Sequence, residues 1–278
     1  KMNSTTEQSR GNLLIRDHLT EFNNGGDPVV IGKMGNSEFL GLRHYLRGLA
    51  LPETVRQLVT INAGVVPDTD KNLNDFFKLY YDSVRVMDIS AQWLHGDADF
   101  FYNEAPETKL VELRSLEPYY HSDPWSSALE GQNVTVVSPF SDTVKNQYAK
   151  REMLWEDENV LPEFNMATVQ SPYLSIQKET ELDWFTAFDS MCTRVLSTKP
   201  NIVLVGAGAY SLPLLYKLRE EGISGVHLGG ATQILFGIRG ARWDEHDVIG
   251  NFYNDHWVRP GKNEIPDYSA KIEGGCYW

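Results

Sequence analysis

Residues 201–237 read NIVLVGAGAYSLPLLYKLREEGISGVHLGGATQILFG, a stretch that contains two successive strand-to-helix turns. Asn201–Val205 is a short apolar run of the kind found in strands buried on both faces of a parallel sheet. Gly206 and Gly208 interrupt this run, and Tyr210–Glu221 then places leucines and charged residues at helical spacing. The stretch therefore predicts a strand, a glycine turn and an amphipathic helix.

The same pattern repeats immediately along the chain. Ile223–Leu228 reads as the next strand, and Gly229 and Gly230 open a second helix near Thr232. Two such units in series predict a right-handed βαβα segment of a doubly wound sheet. Ligands of these sheets bind where the strands end, because helix N-termini there attract anions. Both turns are therefore candidate positions for a phosphate.

Two more strand-to-helix junctions lie upstream. Val29–Ile31 is a short apolar strand that stops before Gly35, after which Asn36 can cap a helix. Asn133–Val137 is a second apolar strand, and it ends at Ser138. Together the junctions predict an α/β, Rossmann-like fold with a mostly parallel sheet and helices on both faces.

The length of the chain suits one large domain. We expect residues 1–278 to form a single α/β domain, because no linker marks a division. The range 60–130 is the least regular part and is a possible insertion. Residues 240–278 form an extended, irregular tail that is rich in aromatic side chains.

A dinucleotide fingerprint is the first alternative for the opening stretch. Gly206 and Gly208 match the first two glycines of G-x-G-x-x-G, but Ser211 stands where the third would be. No acidic residue ends the following strand, which closes at His227, although a ribose hydroxyl would need an acceptor there. A dinucleotide-dependent oxidoreductase or sugar-modifying enzyme stays an alternative, as do glycines that only make tight turns.

The amino-acid composition excludes several classes of binding partner. The formal net charge is −13, from 25 basic and 38 acidic residues, so neither nucleic acid nor an anionic membrane is an expected partner. Cys192 and Cys276 are too few for a disulfide scaffold, and no run of 18 apolar residues predicts a membrane span. We expect a cytoplasmic protein, and the sequence leaves its oligomeric state open.

Glu38 is the first candidate for chemistry. It lies in the first turn of the helix after Gly35, where a carboxylate either faces a ligand or simply complements the helix dipole. His256 is a second candidate, because it follows Asp255 in the tail and a histidine beside a carboxylate can act as a base. A solvated loop is the alternative for His256.

Acidic pairs and basic residues elsewhere are weaker candidates. Asp68 and Asp70, and likewise Asp97 and Asp99, have the Asp-x-Asp spacing that can hold a divalent cation on a diphosphate. Such pairs also occur by chance. Lys145, with Lys150 and Arg151 after it, follows the Ser138 junction and either holds a diphosphate or lies on an exposed helix face.

Two segments resemble the GT-D fold glycosyltransferases, a bacterial family. Val29-Val-Ile-Gly-Lys-Met-Gly-Asn-Ser-Glu-Phe39 is similar to that family's strand followed by a Gly-Asp-Gly-Glu turn. Ile202-Val-Leu-Val-Gly-Ala-Gly-Ala209 and Gly225-Val-His-Leu-Gly229 are similar to its closing strands and glycine turn. The family's D-x-E motif falls on Asn36 and Glu38, and His227 stands where the family has an aspartate. These segments are short, and they lie at opposite ends of the expected α/β domain.

The resemblance implies transfer of a sugar from a nucleotide donor, a UDP-sugar, to a hydroxyl of a glycan acceptor. It also implies a possible divalent cation, Mn or Mg, although Asn36 brings no charge to hold one. Glu38 is the first choice for a base or a donor contact, and His256 the second. A non-catalytic nucleotide-binding protein of glycan assembly is the remaining alternative. The residues expected to bind the donor are Gly35, Asn36, Ser138, Gly206, Gly208, Tyr210, Gly229, Gly230, Thr232 and Gln233.

Overall fold

A computed structural model describes residues 5–172, 183–267, 269–271 and 273–278. Within these ranges the chain forms one seven-stranded sheet, in which every pair of neighbouring strands is parallel. The strands are β1 (Val30–Gly32), β2 (Ile89–Gln92), β3 (Lys109–Glu112), β4 (Asn133–Ser138), β5 (Asn165–Gln170), β6 (Ile202–Val205) and β7 (Ser224–His227).

The strand order across the sheet is β3-β2-β1-β7-β6-β4-β5. The chain first builds outward from β1 to β3 at one edge, then places β4 and the edge strand β5 on the other side, and finally fills the centre with β6 and β7. β1 and β7 therefore become neighbours although almost the whole chain separates them, with Ile31 opposite Val226. The chain leaves these two strands toward opposite faces of the sheet, since Phe39 and Ile234 belong to different hydrophobic cores, and this divergence places a crevice at the carboxyl ends of the central strands.

Helices cover both faces of the sheet, as the sequence predicts. They are α1 (Thr6–Asn23), α2 (Asn36–Leu46), α3 (Glu53–Gln57), α4 (Asp70–Arg85), α5 (Asp97–Glu104), α6 (Ser141–Tyr148), α7 (Trp184–Ser197), α8 (Ser211–Glu220), α9 (Ala231–Leu235) and α10 (Ala241–Asp244). A π-helical turn, Leu58–Asn62, follows α3 directly.

Two hydrophobic cores lie on opposite faces. Successive residues of β6 alternate between them, since Val203 belongs to the core under α2, α4, α7 and α8, and Leu204 to the core under α1, α6 and α9. A strand that buries both faces reads as a continuous apolar run, and this is why β6 is so clear in the sequence. The α/β, Rossmann-like prediction is confirmed.

The range 60–130, expected as a possible insertion, contains α4 and two strands of the sheet, β2 and β3. The tail from residue 240 consists of α10 and short 3-10 turns, and its aromatic rings pack in clusters, such as Trp155 against Trp257 at 5.2 Å between ring centroids. None of the described helices combines the length and the apolar character that crossing a bilayer requires.

Candidate functional site

A cavity of about 750 Å³ opens at the carboxyl end of the sheet. Its walls come from the segments that follow β1, β2, β4, β5, β6 and β7, together with the π-helical turn and the tail. The volume lies in the usual range for small-molecule sites. Every residue predicted to bind the donor lines it, together with Glu38: Gly35, Asn36, Ser138, Gly206, Gly208, Tyr210, Gly229, Gly230, Thr232 and Gln233.

His256 lies elsewhere. Its backbone N–H donates to Asn254 Oδ1 at 2.9 Å, and its carbonyl accepts from Gln147 Nε2 at 3.0 Å. The residue is exposed and does not belong to the cavity wall. The fold therefore does not bring His256 together with Glu38.

Glu38 is a buried carboxyl at the start of α2. The helix begins at Asn36 with Gly35 as its N-cap, and glycine has no side chain that could fill the space at the helix N-terminus. The Gly35 N–H donates a hydrogen bond to the Tyr80 hydroxyl at 3.1 Å. Burial raises the pKa of Glu38 to about 7, its own backbone N–H opposes the rise, and the charge of Glu273 adds to it. A group with this pKa can take up or release a proton near neutral pH.

Two cationic side chains line the same cavity. Lys33 follows β1 directly, and its Nζ lies 5.0 Å from the centroid of the Trp93 ring. Burial lowers the pKa of Lys33, while Glu117 opposes this shift. A bound anion would favour the protonated lysine, since a neighbouring opposite charge stabilises the charged form. Arg242, from α10, stacks on Tyr277 at 4.9 Å and forms an ion pair with Glu273.

The turns after β6 and β7 pack against each other. A β-carbon on Gly206 would lie 2.7 Å from Thr232 Oγ1 and would also overlap the Gly229 carbonyl, so this position admits glycine alone without a shift of the backbone. Gly229 has a φ of 60°, which favours glycine. Thr232 Oγ1 is buried and finds no hydrogen-bond partner within the described ranges. It is therefore free to bond a ligand.

Other predicted donor-binding residues have structural partners. Gln233 Nε2 donates to the carbonyls of Arg239 at 2.9 Å and Tyr277 at 2.7 Å, and so holds the tail against α9. Ser138 Oγ accepts from the Phe140 N–H at 3.1 Å. The Tyr210 ring stacks on Trp184 at 4.9 Å. These side chains shape the cavity wall, and their contact with a donor stays a prediction.

His227 ends β7 at the floor of the cavity. Its Nδ1 lies 3.2 Å from the Val205 carbonyl, so Nδ1 carries the proton and Nε2 is left as an acceptor. Burial, together with the charge of Lys33, lowers the pKa of His227 to about 4. The ring is therefore neutral at neutral pH.

Sequence reasoning missed several residues of this wall. Lys33 carried a usable signal, because it stands between the two glycines of the first junction. The others follow no periodic pattern, since they come from the loop after β2 or from the tail: Trp93, Arg242, Glu273, Tyr277 and Trp278.

The Asp-x-Asp pairs lie outside the cavity and have structural partners. Asp68 and Asp70 both bond Arg56. Asp97 is buried, and its Oδ2 accepts from the backbone N–H groups of Trp93 at 2.8 Å and Leu94 at 2.9 Å. Lys145, Lys150 and Arg151 are likewise absent from the cavity wall. The Asp-x-Asp residues and these three basic residues therefore belong to loops and to the protein surface outside the cavity.

The carboxyl groups of the cavity do not fit a divalent-cation site. Glu38 stands beside Asn36, whose amide carries no charge, and Glu273 is engaged with Arg242 and with the Tyr277 hydroxyl. Within the ranges given above, no three His, Cys, Asp or Glu side chains converge as a ligand set. The divalent cation implied by the resemblance stays a prediction, and no step below is derived through it.

Comparison with known proteins found similar solved structures. A glycosyltransferase with domain of unknown function 1792 from Streptococcus sanguinis covers 93% of this chain and 96% of its own, with 13% identity and a TM-score of 0.40. A selenomethionine-substituted structure of the same domain covers 94% and 98%, with 11% identity and a TM-score of 0.41. A third, described as having a distinct glycosyltransferase fold, covers 94% and 98%, with 12% identity and a TM-score of 0.37.

All three TM-scores lie below 0.5, and the fold class follows from the strand order of the chain itself. No protein-family model and no curated protein matches the chain.

Proposed function

We propose that this protein transfers a sugar from a nucleotide-sugar donor, a UDP-sugar, to a hydroxyl group of a glycan acceptor. One observation carries the proposal. A single cavity at the carboxyl ends of the central strands combines a buried carboxyl, Glu38, with the cationic side chains of Lys33 and Arg242. Glycosyl transfer from a diphosphate needs both a proton acceptor and a stabiliser of negative charge.

The cations suit the leaving group. When the bond between the anomeric carbon and the β-phosphate oxygen breaks, negative charge develops on the nucleoside diphosphate. Lys33 and Arg242 would hold that charge, and the unpartnered Thr232 hydroxyl would donate a hydrogen bond to a phosphate oxygen. Because the cavity is partly enclosed, these interactions are stronger than in open water.

Glu38 suits the other half of the reaction. The acceptor hydroxyl oxygen attacks the anomeric carbon, its proton passes to the Glu38 carboxylate, and the nucleoside diphosphate departs. Burial keeps the pKa of Glu38 at about 7, so near neutral pH a substantial fraction is ionised and able to accept this proton. The assignment of UDP rests on the resemblance of Val29–Phe39 and Ile202–Ala209 to the GT-D family.

Binding and turnover together test the proposal. We expect UDP to raise the unfolding temperature in a panel of UDP, GDP, dTDP, NAD and NADP. We also expect release of UDP from UDP-sugars, and Glu38→Gln should abolish this release while UDP binding persists. His256→Gln is the matched control, because His256 lies outside the cavity, and it should leave both properties unchanged.

Three outcomes contradict the proposal in different ways. Selective stabilisation by NAD or NADP would favour the oxidoreductase alternative. Binding of UDP with no release from any UDP-sugar would favour a non-catalytic nucleotide-binding protein. Full turnover by Glu38→Gln would remove Glu38 from the chemistry.

A further inference from the structure

Trp93 is the most exposed of the seven tryptophans, at 44% of its full accessible surface. It follows β2 directly and lines the cavity. An indole joins a large apolar ring to a polar N–H, and such rings are enriched at binding surfaces where one side stays exposed.

The Trp93 ring is held in place. Its Nε1 donates to the Met34 carbonyl at 2.8 Å, and its backbone N–H donates to Asp97 Oδ2 at 2.8 Å. Both partners are buried. Lys33 Nζ lies over the ring at 5.0 Å from its centroid, and the part of the indole that stays exposed is presented with little rotamer entropy left to lose when a ligand binds.

Two amide side chains line the same cavity. Asn36 begins α2, and Asn62 ends the π-helical turn, a type of turn that is frequent at functional sites. Neither side chain makes a hydrogen bond to any part of the chain that the structure describes. Each is therefore free to donate and accept bonds with hydroxyl groups.

The strand order separates this group from the glycine turns. β2, which carries Trp93, lies on one side of β1, while β7 and β6, with their glycine turns, lie on the other. Glu38 follows β1 and so stands between the two. A donor on the glycine turns and an acceptor on Trp93 would meet at the Glu38 carboxyl.

We propose that Trp93, with Asn36 and Asn62, forms a binding subsite for a pyranose ring of the acceptor glycan. Asn36, which the sequence led us to expect at the donor, is thereby assigned to the acceptor side. The apolar C–H face of the sugar stacks on the indole, and its hydroxyl groups bond the two amides. The proposal rests on the proposed function for the identity of the sugar as the acceptor. The stacking surface itself follows from the exposure and fixation of Trp93.

Saturation-transfer NMR with methyl glycosides of glucose, galactose, N-acetylglucosamine and mannose, in the presence of UDP, tests the subsite. We expect at least one glycoside to receive saturation from the wild-type protein. Trp93→Ala should raise its Kd by about tenfold, the usual scale for loss of a tryptophan anchor, and Asn62→Ala by less. Trp93→Phe should restore part of the affinity, because it keeps a stacking face without the bond to Met34.

Tyr102→Ala is the matched control, since Tyr102 is 81% exposed and lies outside the cavity. It should leave the Kd unchanged. No saturation of any glycoside by the wild-type protein, or equal Kd values for wild type and a folded Trp93→Ala, would overturn the subsite. Folding of each variant is checked by its unfolding temperature.

The same samples separate this proposal from the proposed function. If glycosides bind through Trp93 while UDP binds nowhere, the subsite stands and the nucleotide-sugar reaction falls. If UDP-sugars are turned over while Trp93→Ala binds glycosides normally, the reaction stands and the subsite falls.

Discussion

The carboxyl group of Glu38 occupies the space that a β-carbon on Gly35 would need, and both of its oxygens would overlap that atom. A β-carbon at this position would therefore push the Glu38 carboxyl aside, whereas the φ of −78° at Gly35 is open to any residue. The glycine of this junction makes room for the proposed base.

Gly35→Ala should displace the Glu38 carboxyl. We expect UDP-sugar turnover to fall about 100-fold, the scale of a misplacement near 1 Å, while overpacking lowers the free energy of unfolding by only about 1–3 kcal/mol. Steady-state kinetics and thermal unfolding measure the two effects. In a Glu38→Ala background the same glycine substitution should cost little stability, because the carboxyl that overlaps its β-carbon is absent, and an unchanged cost would contradict the shared mechanism.

Glu38→Gln should change how stability depends on pH. The pKa of Glu38 is raised from 4.5 to about 7 in the folded chain, so folding favours its protonated form. The wild-type protein therefore loses stability as pH rises from about 4.5 to 7, by up to about 3 kcal/mol, and this loss persists above pH 7.

Denaturant unfolding of wild type and Glu38→Gln between pH 4 and 8 measures this difference. The free energies of unfolding of the two proteins should be closest at the acidic end. As pH rises, that of the variant should increase relative to that of the wild type. A constant difference across the range would show that Glu38 ionises normally.

Lys33→Ala should weaken UDP binding. Loss of a charge-assisted hydrogen bond costs about 1.5–3 kcal/mol, which corresponds to a Kd about 10 to 150 times higher by titration calorimetry. Lys145→Ala is the matched control, because Lys145 is an exposed lysine outside the cavity wall. Equal effects of the two substitutions would place the diphosphate away from Lys33.

Glu273→Gln should strengthen UDP binding. Glu273 neutralises Arg242 in the ligand-free chain, and a diphosphate would have to compete with it. The ion pair is partly exposed, so we expect a gain of only about two- to fivefold. The charge of Glu273 also raises the pKa of Glu38, so the acidic limb of the pH–rate profile should move to lower pH. Weaker UDP binding would instead show that Glu273 chiefly holds the tail in place.

Asp97→Ala should destabilise the loop after β2. Its carboxylate accepts from three backbone N–H groups, including that of Ala98 at 2.7 Å, and removal leaves them unsatisfied at a cost of about 1–3 kcal/mol. Asp99→Ala, from the same Asp-x-Asp pair, changes an exposed side chain and should stay within about 0.5 kcal/mol. Thermal unfolding compares the two variants, and equal stabilities would contradict the role of Asp97 in holding this loop.

Sequence patterns predicted the elements whose side chains are buried on both faces. β6 and β4 were found within a residue of their observed ends, because parallel strands in a sandwiched sheet leave an uninterrupted apolar run. The glycine junctions after β1, β6 and β7 were found for a related reason. Chain reversal and close packing there admit few residues other than glycine, as the contact of Gly206 with Thr232 shows.

The range 60–130 was harder to interpret. The helix α4 extends to Arg85, because Val84 packs into the core as part of its buried face. The strands β2 and β3 are four residues each. Runs of this length do not distinguish a strand from a helical turn without knowledge of the neighbouring strand.

The sequence by itself therefore determined the fold class, the carboxyl-end junctions and the place of Glu38 in the first turn after Gly35, since each depends on residues close together in the chain. Only the tertiary structure decided which side chains join them. Trp93 reaches the cavity from β2, and Arg242 from beyond β7, because the strand order places segments far apart in sequence around one crevice. The same packing places His256 on the surface, outside the cavity. It also buries Glu38 and so raises the pKa of this residue, because burial depends on neighbours that local sequence does not specify.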